Sequence, residues 1–271
     1  MNVRKVLVLL IAVLTTGLTQ AIIIRHDVAP ALYEVRESDY AAVFYIEQQG
    51  ARRVCAATVI HARWAVTAAH CTEQTSLGSA IKNGLQFAVL VNGQPREIDA
   101  MIVHPEYDQA SRFDVDLALL RFEQPATDPL PMPLFTGDDE LHQEVSLLGW
   151  GYYGIGTTGR QFDDATLRLA NNRVEDADRR IRILFDDPRQ RPESAALRLE
   201  GMPSLGDSGG PALIRTVTGY SLAGVAVGEL RGEDYSEQSQ GNYGSIAVYE
   251  RISRHLDWIE AVIGATYPFD S

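Results

Sequence analysis

Short apolar runs separated by turn-forming residues fill most of the chain. They lie at residues 41–46, 56–60, 87–93, 98–104, 117–122, 145–151, 180–185 and 222–228. Most are rich in β-branched or aromatic side chains and are too short for stable helices, so each run predicts a strand. Regular short strands of this kind predict an all-β protein, either a sandwich or a pair of barrels.

Two segments depart from this strand pattern. Residues 186–204 are polar and contain proline, which predicts a loop. Residues 249–264 carry apolar side chains at helical spacing, with Arg and Glu on the opposite side, and predict an amphipathic helix that packs on the body. Three prolines within 126–135 mark the expected crossing between two halves.

The first 21 residues have the features of a secretory signal peptide. Arg4 and Lys5 form a basic start, residues 6–14 are uninterruptedly apolar, and small residues flank a cleavage site after Ala21. The apolar run is shorter than the roughly 20 residues that span a bilayer. We therefore expect residues 1–21 to be removed and residues 22–271 to be exported, to the periplasm or outside the cell.

Charge and cysteine content restrict the classes of partner. The chain of 271 residues has a formal net charge of −12 and no basic block, which argues against binding to nucleic acid or anionic membranes. Cys55 and Cys71 are the only cysteines. In an exported chain they predict a disulfide, with two free buried thiols as the alternative. The histidines show no metal-ligand spacing, so neither a metal nor a cofactor is expected.

Three further stretches supply the groups that a nucleophilic serine requires. Serine needs a base to take its proton, and the base needs an acid that fixes its tautomer and stabilises its charge. His70 lies in TAAHC, Asp116 stands at the head of an apolar strand, and Ser208 lies between glycines in GDSGGP.

These motifs, in the order His, Asp, Ser, resemble those of the chymotrypsin/trypsin family of serine proteases. Residues 104–108, 147–151 and 249–259 match other landmarks of that family. The resemblance implies two antiparallel six-stranded β-barrels with the active site between them and a C-terminal helix. Barrel one would occupy about residues 22–130, and barrel two with the helix about residues 131–271.

The resemblance also implies a role for each matching residue. His70 would act as general base and then acid, Asp116 as its buried orienting group, and Ser208 as the nucleophile. The backbone N–H groups of Gly206 and Ser208 would form the oxyanion hole, and Cys55 would pair with Cys71.

Family members are activated when a new N-terminal aliphatic residue inserts and its ammonium pairs with the Asp before the nucleophile, here Asp207. Because Ala21 precedes Ile22, signal-peptide cleavage itself would release Ile22 as the inserting end, without a propeptide. The alternative is that residues 22–27 form an ordinary first strand and that Asp207 pairs elsewhere.

The substrate pocket departs from trypsin. Met202 stands where trypsin has the Asp that binds Arg and Lys, and the opposite wall aligns with Val227 and Gly228. These residues predict a neutral, apolar pocket, unless Glu229 or another acid reaches in from the far wall. Ala226 replaces the serine that supports the catalytic Asp in the family, which would leave Asp116 one hydrogen bond short.

The resemblance thus implies a serine endopeptidase that cleaves secreted or extracellular proteins or peptides through an acyl-enzyme. Two alternatives remain open. One is a non-catalytic relative that uses the same cleft for binding, and the other is an esterase with the same triad.

Overall fold

A computed structural model describes residues 22–111, 114–190, 195–230 and 239–264. The predicted signal peptide, residues 1–21, lies outside the described residues. The strands are β1 Ile23–Ile24, β2 Val43–Gln49, β3 Arg52–His61, β4 Trp64–Thr67, β5 Phe87–Val91, β6 Gln94–Val103, β7 Ala118–Phe122, β8 Glu144–Gly149, β9 Tyr152–Ile155, β10 Gly159–Asp163, β11 Arg168–Ala177, β12 Arg180–Leu184, β13 Gly201–Met202, β14 Pro211–Thr216, β15 Gly219–Glu229 and β16 Ile246–Arg251. The α-helices are α1 Cys71–Gln74, α2 Leu77–Lys82 and α3 Leu256–Ile263.

Most strands belong to two antiparallel six-stranded units. The first has the order β2-β3-β4-β7-β6-β5, and its edge strands β2 and β5 lie side by side, so the sheet curls on itself. The second is a closed barrel with the order β11-β12-β16-β15-β14-β8. All eight apolar runs form strands, and the predicted two-barrel fold is confirmed. Closing the sheets leaves few unpaired edges and places the apolar sides of the strands inside.

A four-stranded sheet with the order β10-β9-β1-β13 was not predicted from the sequence. In it, β1 runs parallel to β9 and antiparallel to β13, so that Ile23 lies opposite both Gly154 and Met202. The predicted boundaries assign residues 22–130 to barrel one, but β1 pairs only with strands from the second half of the chain. The first described residues therefore belong to a sheet of the second half, close to the loop that contains Ser208.

The C-terminal helix is present but shorter than its apolar spacing predicted. It covers Leu256–Ile263, whereas residues 249–251 belong to β16, which pairs with both β12 and β15. Ladder hydrogen bonds on both sides of β16 hold this part extended, so tertiary pairing overrides the helical spacing there. Ile259 anchors the helix, since its side chain is fully buried in the larger apolar core.

The predicted loop 186–204 is largely confirmed in its described part, residues 186–190 and 195–204, where the only strand is the two-residue β13. None of the described helices is both long enough and apolar enough to cross a membrane.

Candidate active site

A cleft of about 550 Å³ contains the side chains predicted to act together. His70 and Asp116 reach it from the first half of the chain, and Ser208 and Ala226 from the second. His70 precedes helix α1, Asp116 precedes strand β7, and Ser208 precedes strand β14. Each of the three therefore lies in a loop shortly before a helix or strand, and the ordered element fixes its position.

His70 and Asp116 make two direct hydrogen bonds. The carboxylate oxygen Oδ2 of Asp116 lies 2.6 Å from His70 Nδ1, and Oδ1 accepts the backbone N–H of His70 at 2.9 Å. The His70 and Asp116 side chains are only 14% and 11% exposed. A carboxylate at Nδ1 favours the tautomer that carries the proton there, which leaves Nε2 as the basic nitrogen.

The Ser208 loop is hydrogen-bonded to strand β3 through its carbonyl groups. Cys55 N donates to Gly206 O at 3.0 Å, and Ala56 N donates to Ser208 O at 2.7 Å. Within the described part of the chain, no hydrogen bond uses the N–H groups of Gly206 or Ser208. Both N–H groups therefore remain available for an oxyanion.

Gly209 allows this loop to lie close to the first barrel. Its φ is +79°, and a Cβ at this position would stand 2.1 Å from Ala56 O and 2.3 Å from Thr67 Oγ1. No other residue type fits this space, because both the backbone conformation and the contact exclude a side chain.

The predicted disulfide between Cys55 and Cys71 is present. It joins β3 to the residue after His70 and thereby ties the start of helix α1 to the barrel. The two sulfur atoms and a ring nitrogen of His70 lie within 4.8 Å of one another. The disulfide leaves neither sulfur as the thiolate that a metal ion would require.

Asp207 is fully buried, and backbone groups hold its carboxylate. Gly151 N donates to Oδ1 at 2.6 Å and Ser204 N to Oδ2 at 2.8 Å. Burial raises the pKa of Asp207 from 3.8 to about 7. No cationic group of the described residues forms an ion pair with it, and no hydrogen bond joins it to Ile22, which is also buried, beside β13.

The predicted pocket residues take two different positions. Val227 and Gly228 line the cleft, whereas Met202 is fully buried and packs in an apolar cluster with Ile23 and Tyr249. The direction of the Met202 side chain depends on the pairing of β13 with β1, which the sequence did not reveal.

Glu229 also lines the cleft. Its Oε1 accepts the Ser245 hydroxyl at 2.5 Å, and its Oε2 is buried without a hydrogen-bond partner among the described residues. Burial raises the pKa of this carboxyl above its ordinary value.

Sequence analysis did not identify Glu250, a fully buried residue on β16. Its Oε1 accepts the backbone N–H of Asp116 at 3.0 Å. The helical spacing of residues 249–264 predicts this residue on the polar side of the helix, whereas the structure places it near the end of the buried strand β16, where a charged side chain is unusual.

Comparison with known proteins supports the same family. The family model described as Trypsin matches residues 31–259. Vitamin K-dependent protein C of Rattus norvegicus is 29% identical over 228 residues, which cover 78% of this chain and 46% of that protein. Transmembrane protease serine 9 of the same species is 27% identical, over 78% of this chain and 20% of that protein. The chain thus spans about half the length of protein C and about a fifth of the length of transmembrane protease serine 9.

Solved structures have the same fold at lower identity. Human heparin binding protein aligns with a TM-score of 0.60 at 20% identity, over 88% of this chain and 98% of that one. HL collagenase aligns with a TM-score of 0.62 at 20% identity, over 87% and 98% of the two chains. With the family model matching most of its length and the fold shared with these structures, the chain belongs to the trypsin family of serine proteases.

Proposed function

We propose that the protein is a serine endopeptidase whose triad is His70, Asp116 and Ser208. The observation that carries this proposal is the bond of 2.6 Å between His70 and Asp116, in one cleft with Ser208. Family membership supports it independently.

In the proposed mechanism, Ser208 Oγ attacks the carbonyl carbon of the scissile peptide bond while His70 Nε2 takes its proton. Asp116 stabilises the resulting imidazolium, and the N–H groups of Gly206 and Ser208 stabilise the oxyanion. Collapse of the tetrahedral intermediate breaks the C–N bond, and His70 gives its proton to the leaving amine. Water, activated by His70, then hydrolyses the acyl-enzyme in the same way.

Activation is proposed to follow export. Removal of residues 1–21 would give Ile22 a free ammonium next to the sheet that borders the Asp207 loop. The buried Asp207 carboxylate has two N–H donors but no cation among the described residues, and an ammonium would provide an opposite charge. Mass spectrometry of the mature chain tests this step, and a mature N-terminus well away from residues 22–24 would refute it.

The primary pocket is proposed to accept a medium-sized neutral side chain. Val227 and Gly228, which line the cleft, carry no charge, and Met202 lies in the apolar cluster behind it. Glu229 favours a second candidate, a pocket for cationic side chains, because its Oε2 is buried without a partner. A peptide-library digest distinguishes the two candidates by the residue found before the cleaved bond.

A purely binding function is the alternative from another class. One structural neighbour is named for binding heparin, a sulfated polyanion. A net charge of −12 opposes binding of such a ligand here, and all three triad residues are retained. We propose exported proteins or peptides as substrates, and small esters as the alternative substrate class for the same triad.

Labelling with a fluorophosphonate probe tests the enzyme proposal. The processed protein should label, and Ser208→Ala should not. Ser221→Ala, a matched change at a buried serine on β15 outside the cleft, should label like the wild type. Equal labelling of the wild type and Ser208→Ala would refute the proposal. Digestion of peptide and ester substrates then separates endopeptidase from esterase.

A further inference from the structure

The Asp116 carboxylate receives all its described hydrogen bonds from His70. Oδ1 accepts the His70 backbone N–H and Oδ2 bonds to Nδ1. Ala226, where the family has a supporting serine, offers only a methyl group. Within the described part of the chain, no third donor reaches this carboxylate, so its side chain has no support other than the residue that it must orient.

Asp116 is instead held by a hydrogen bond that its backbone N–H donates. Asp116 N donates to Glu250 Oε1 at 3.0 Å, in a bond that joins the loop before β7 to strand β16 of the other barrel. Both partners are buried. A charge-assisted hydrogen bond in such a place is stronger than one between neutral groups.

Arg180 holds Glu250 in turn. Arg180 Nε donates to Glu250 Oε1 at 2.7 Å, and Arg180 Nη2 contacts both Glu250 and Asp114, whose Oδ1 lies at 3.2 Å. Glu250 and Arg180 therefore fix the Asp116 loop at two points, the N–H of residue 116 and the carboxylate of residue 114.

The charge state of Glu250 agrees with this arrangement. Burial alone would raise its pKa, but His255 and Arg180 outweigh burial and keep the pKa below its ordinary value. His255 Nε2 lies 3.7 Å from Glu250 Oε2, and the ring of His104 packs against His255 at 5.3 Å. Glu250 is thus an ionised acceptor at neutral pH, with Arg180 as its counter-charge.

We propose that Glu250, held by Arg180, is a positioning residue that fixes Asp116 through its backbone N–H and so replaces the support that Ala226 cannot give. The inference rests on the proposed protease function. Its chemical requirement is a hydrogen-bond acceptor at the position of Glu250 Oε1.

The test compares Glu250→Met, which removes the acceptor, with Glu250→Gln, which keeps an oxygen. Rates are normalised to the active sites titrated by the fluorophosphonate. Glu250→Met should lower kcat on the order of 10-fold with KM within about twofold. It should also move the acid limb of the kcat/KM profile to lower pH, because a loosened Asp116 stabilises the His70 imidazolium less. Glu250→Gln should keep kcat within about threefold of the wild type.

Glu140→Met is the matched control. Glu140 also forms an arginine–glutamate ion pair, more deeply buried than that of Glu250, with Arg251, the residue next to Glu250; Arg251 Nε lies 2.8 Å from Glu140 Oε1. It makes no hydrogen bond to Asp116 and does not line the cleft, so Glu140→Met should lose stability without a change in kcat or in the acid limb. A wild-type kcat and acid limb in Glu250→Met, or an equal loss in Glu140→Met, would overturn the inference.

Two further measurements cover variants that fail to fold and a protein that fails to turn over substrate. If Glu250→Met does not fold, Arg180→Met/Glu250→Met removes both charges and should show the same loss of kcat. The low-field proton resonance of His70 Nδ1–H reports its bond to Asp116 without turnover. It should shift or broaden in the variants that lack the acceptor, and an unchanged resonance would count against the positioning role. Absence of any Ser208-dependent turnover in the wild type would instead refute the protease proposal.

Discussion

Asp116 and Asp207 are two buried carboxylates beside one cleft, and they differ in their surroundings. Asp116 bonds to the ring and backbone of His70, and its own backbone N–H donates to the buried Glu250. Asp207 has two backbone N–H donors and no cation among the described residues. Among the described residues, the Asp116 carboxylate thus has its proposed partner His70 in place, whereas the Asp207 carboxylate has no positively charged partner.

Asp207 shows how burial without a nearby cation acts on a carboxyl group. Burial raises the pKa of Asp207 to about 7, since backbone dipoles compensate only part of the lost hydration. Changes at Asp116 should therefore affect the proposed catalysis and changes at Asp207 the proposed activation.

Asp116→Asn should have the largest effect. The amide presents the wrong hydrogen-bonding partner to His70 and lowers kcat at neutral pH by roughly 10⁴-fold. Active-site-titrated kinetics on a peptide substrate measure this loss. A decrease of only a few fold would mean that Asp116 is not the orienting acid.

Blocking the ammonium of Ile22 should leave the Asp207 carboxylate without the cation that we propose for it. A chain extended before Ile22 should be roughly 10²–10³-fold less active than one starting at Ile22, because the oxyanion loop stays unsupported. Kinetics of the two forms, cut from one fusion protein, measure the difference. Equal activity would show that Asp207 does not need this cation.

Asp207→Asn in the extended form tests the buried charge itself. The pKa rises from 3.8 to about 7 on folding, so the folded state favours the protonated acid. The stability that protonated Asp207 contributes to the folded state is therefore present below about pH 4, and it is lost as the pH rises to about 7. Above pH 7 the Asn variant should be more stable than wild type by up to about 4 kcal/mol. Urea unfolding at pH 4 and pH 8 measures this, and a pH-independent difference would contradict it.

Removing the disulfide should lower the free energy of unfolding more than it lowers the catalytic rate. Cys55→Ala/Cys71→Ala opens a loop with a sequence separation of 16 residues and should cost about 3 kcal/mol of unfolding free energy. Thermal unfolding with and without reductant gives the value. An identical midpoint in the wild type and the double variant would rule out this contribution.

Glu229→Gln should have the smallest effect, because a neutral pocket does not use the charge. Cleavage after apolar residues should stay within about threefold of wild type. Library digestion of both proteins shows whether this holds. Selective loss of cleavage after Arg or Lys would establish Glu229 as a specificity acid.

The sequence predicts those parts of the fold and site that short-range patterns encode. Eight apolar runs mark eight strands, and three motifs mark His70, Asp116 and Ser208, because each pattern lies within a few neighbouring residues. The sheet around β1 escapes prediction, since its strands are short and their partners lie far apart in the chain. For the same reason the sequence gives the position of Met202 but not the direction of its side chain.

Glu250 escapes prediction for the same reason. A charged residue within an apolar strand is unexpected, but only the structure shows that its oxygen meets the N–H of Asp116 on the other barrel. Hydrogen bonds between distant segments leave no periodic trace in the sequence.

The pairing of Ile23 with Met202 also bears on the order of folding. The first described strand leaves the ribosome early, yet its partner β13 follows only after most of the chain has been made. Closing so long a loop is entropically costly and slow. We therefore expect the wall behind the Ser208 loop to be among the last parts to assemble, so that the proposed active site is completed only once β1 has paired with β13.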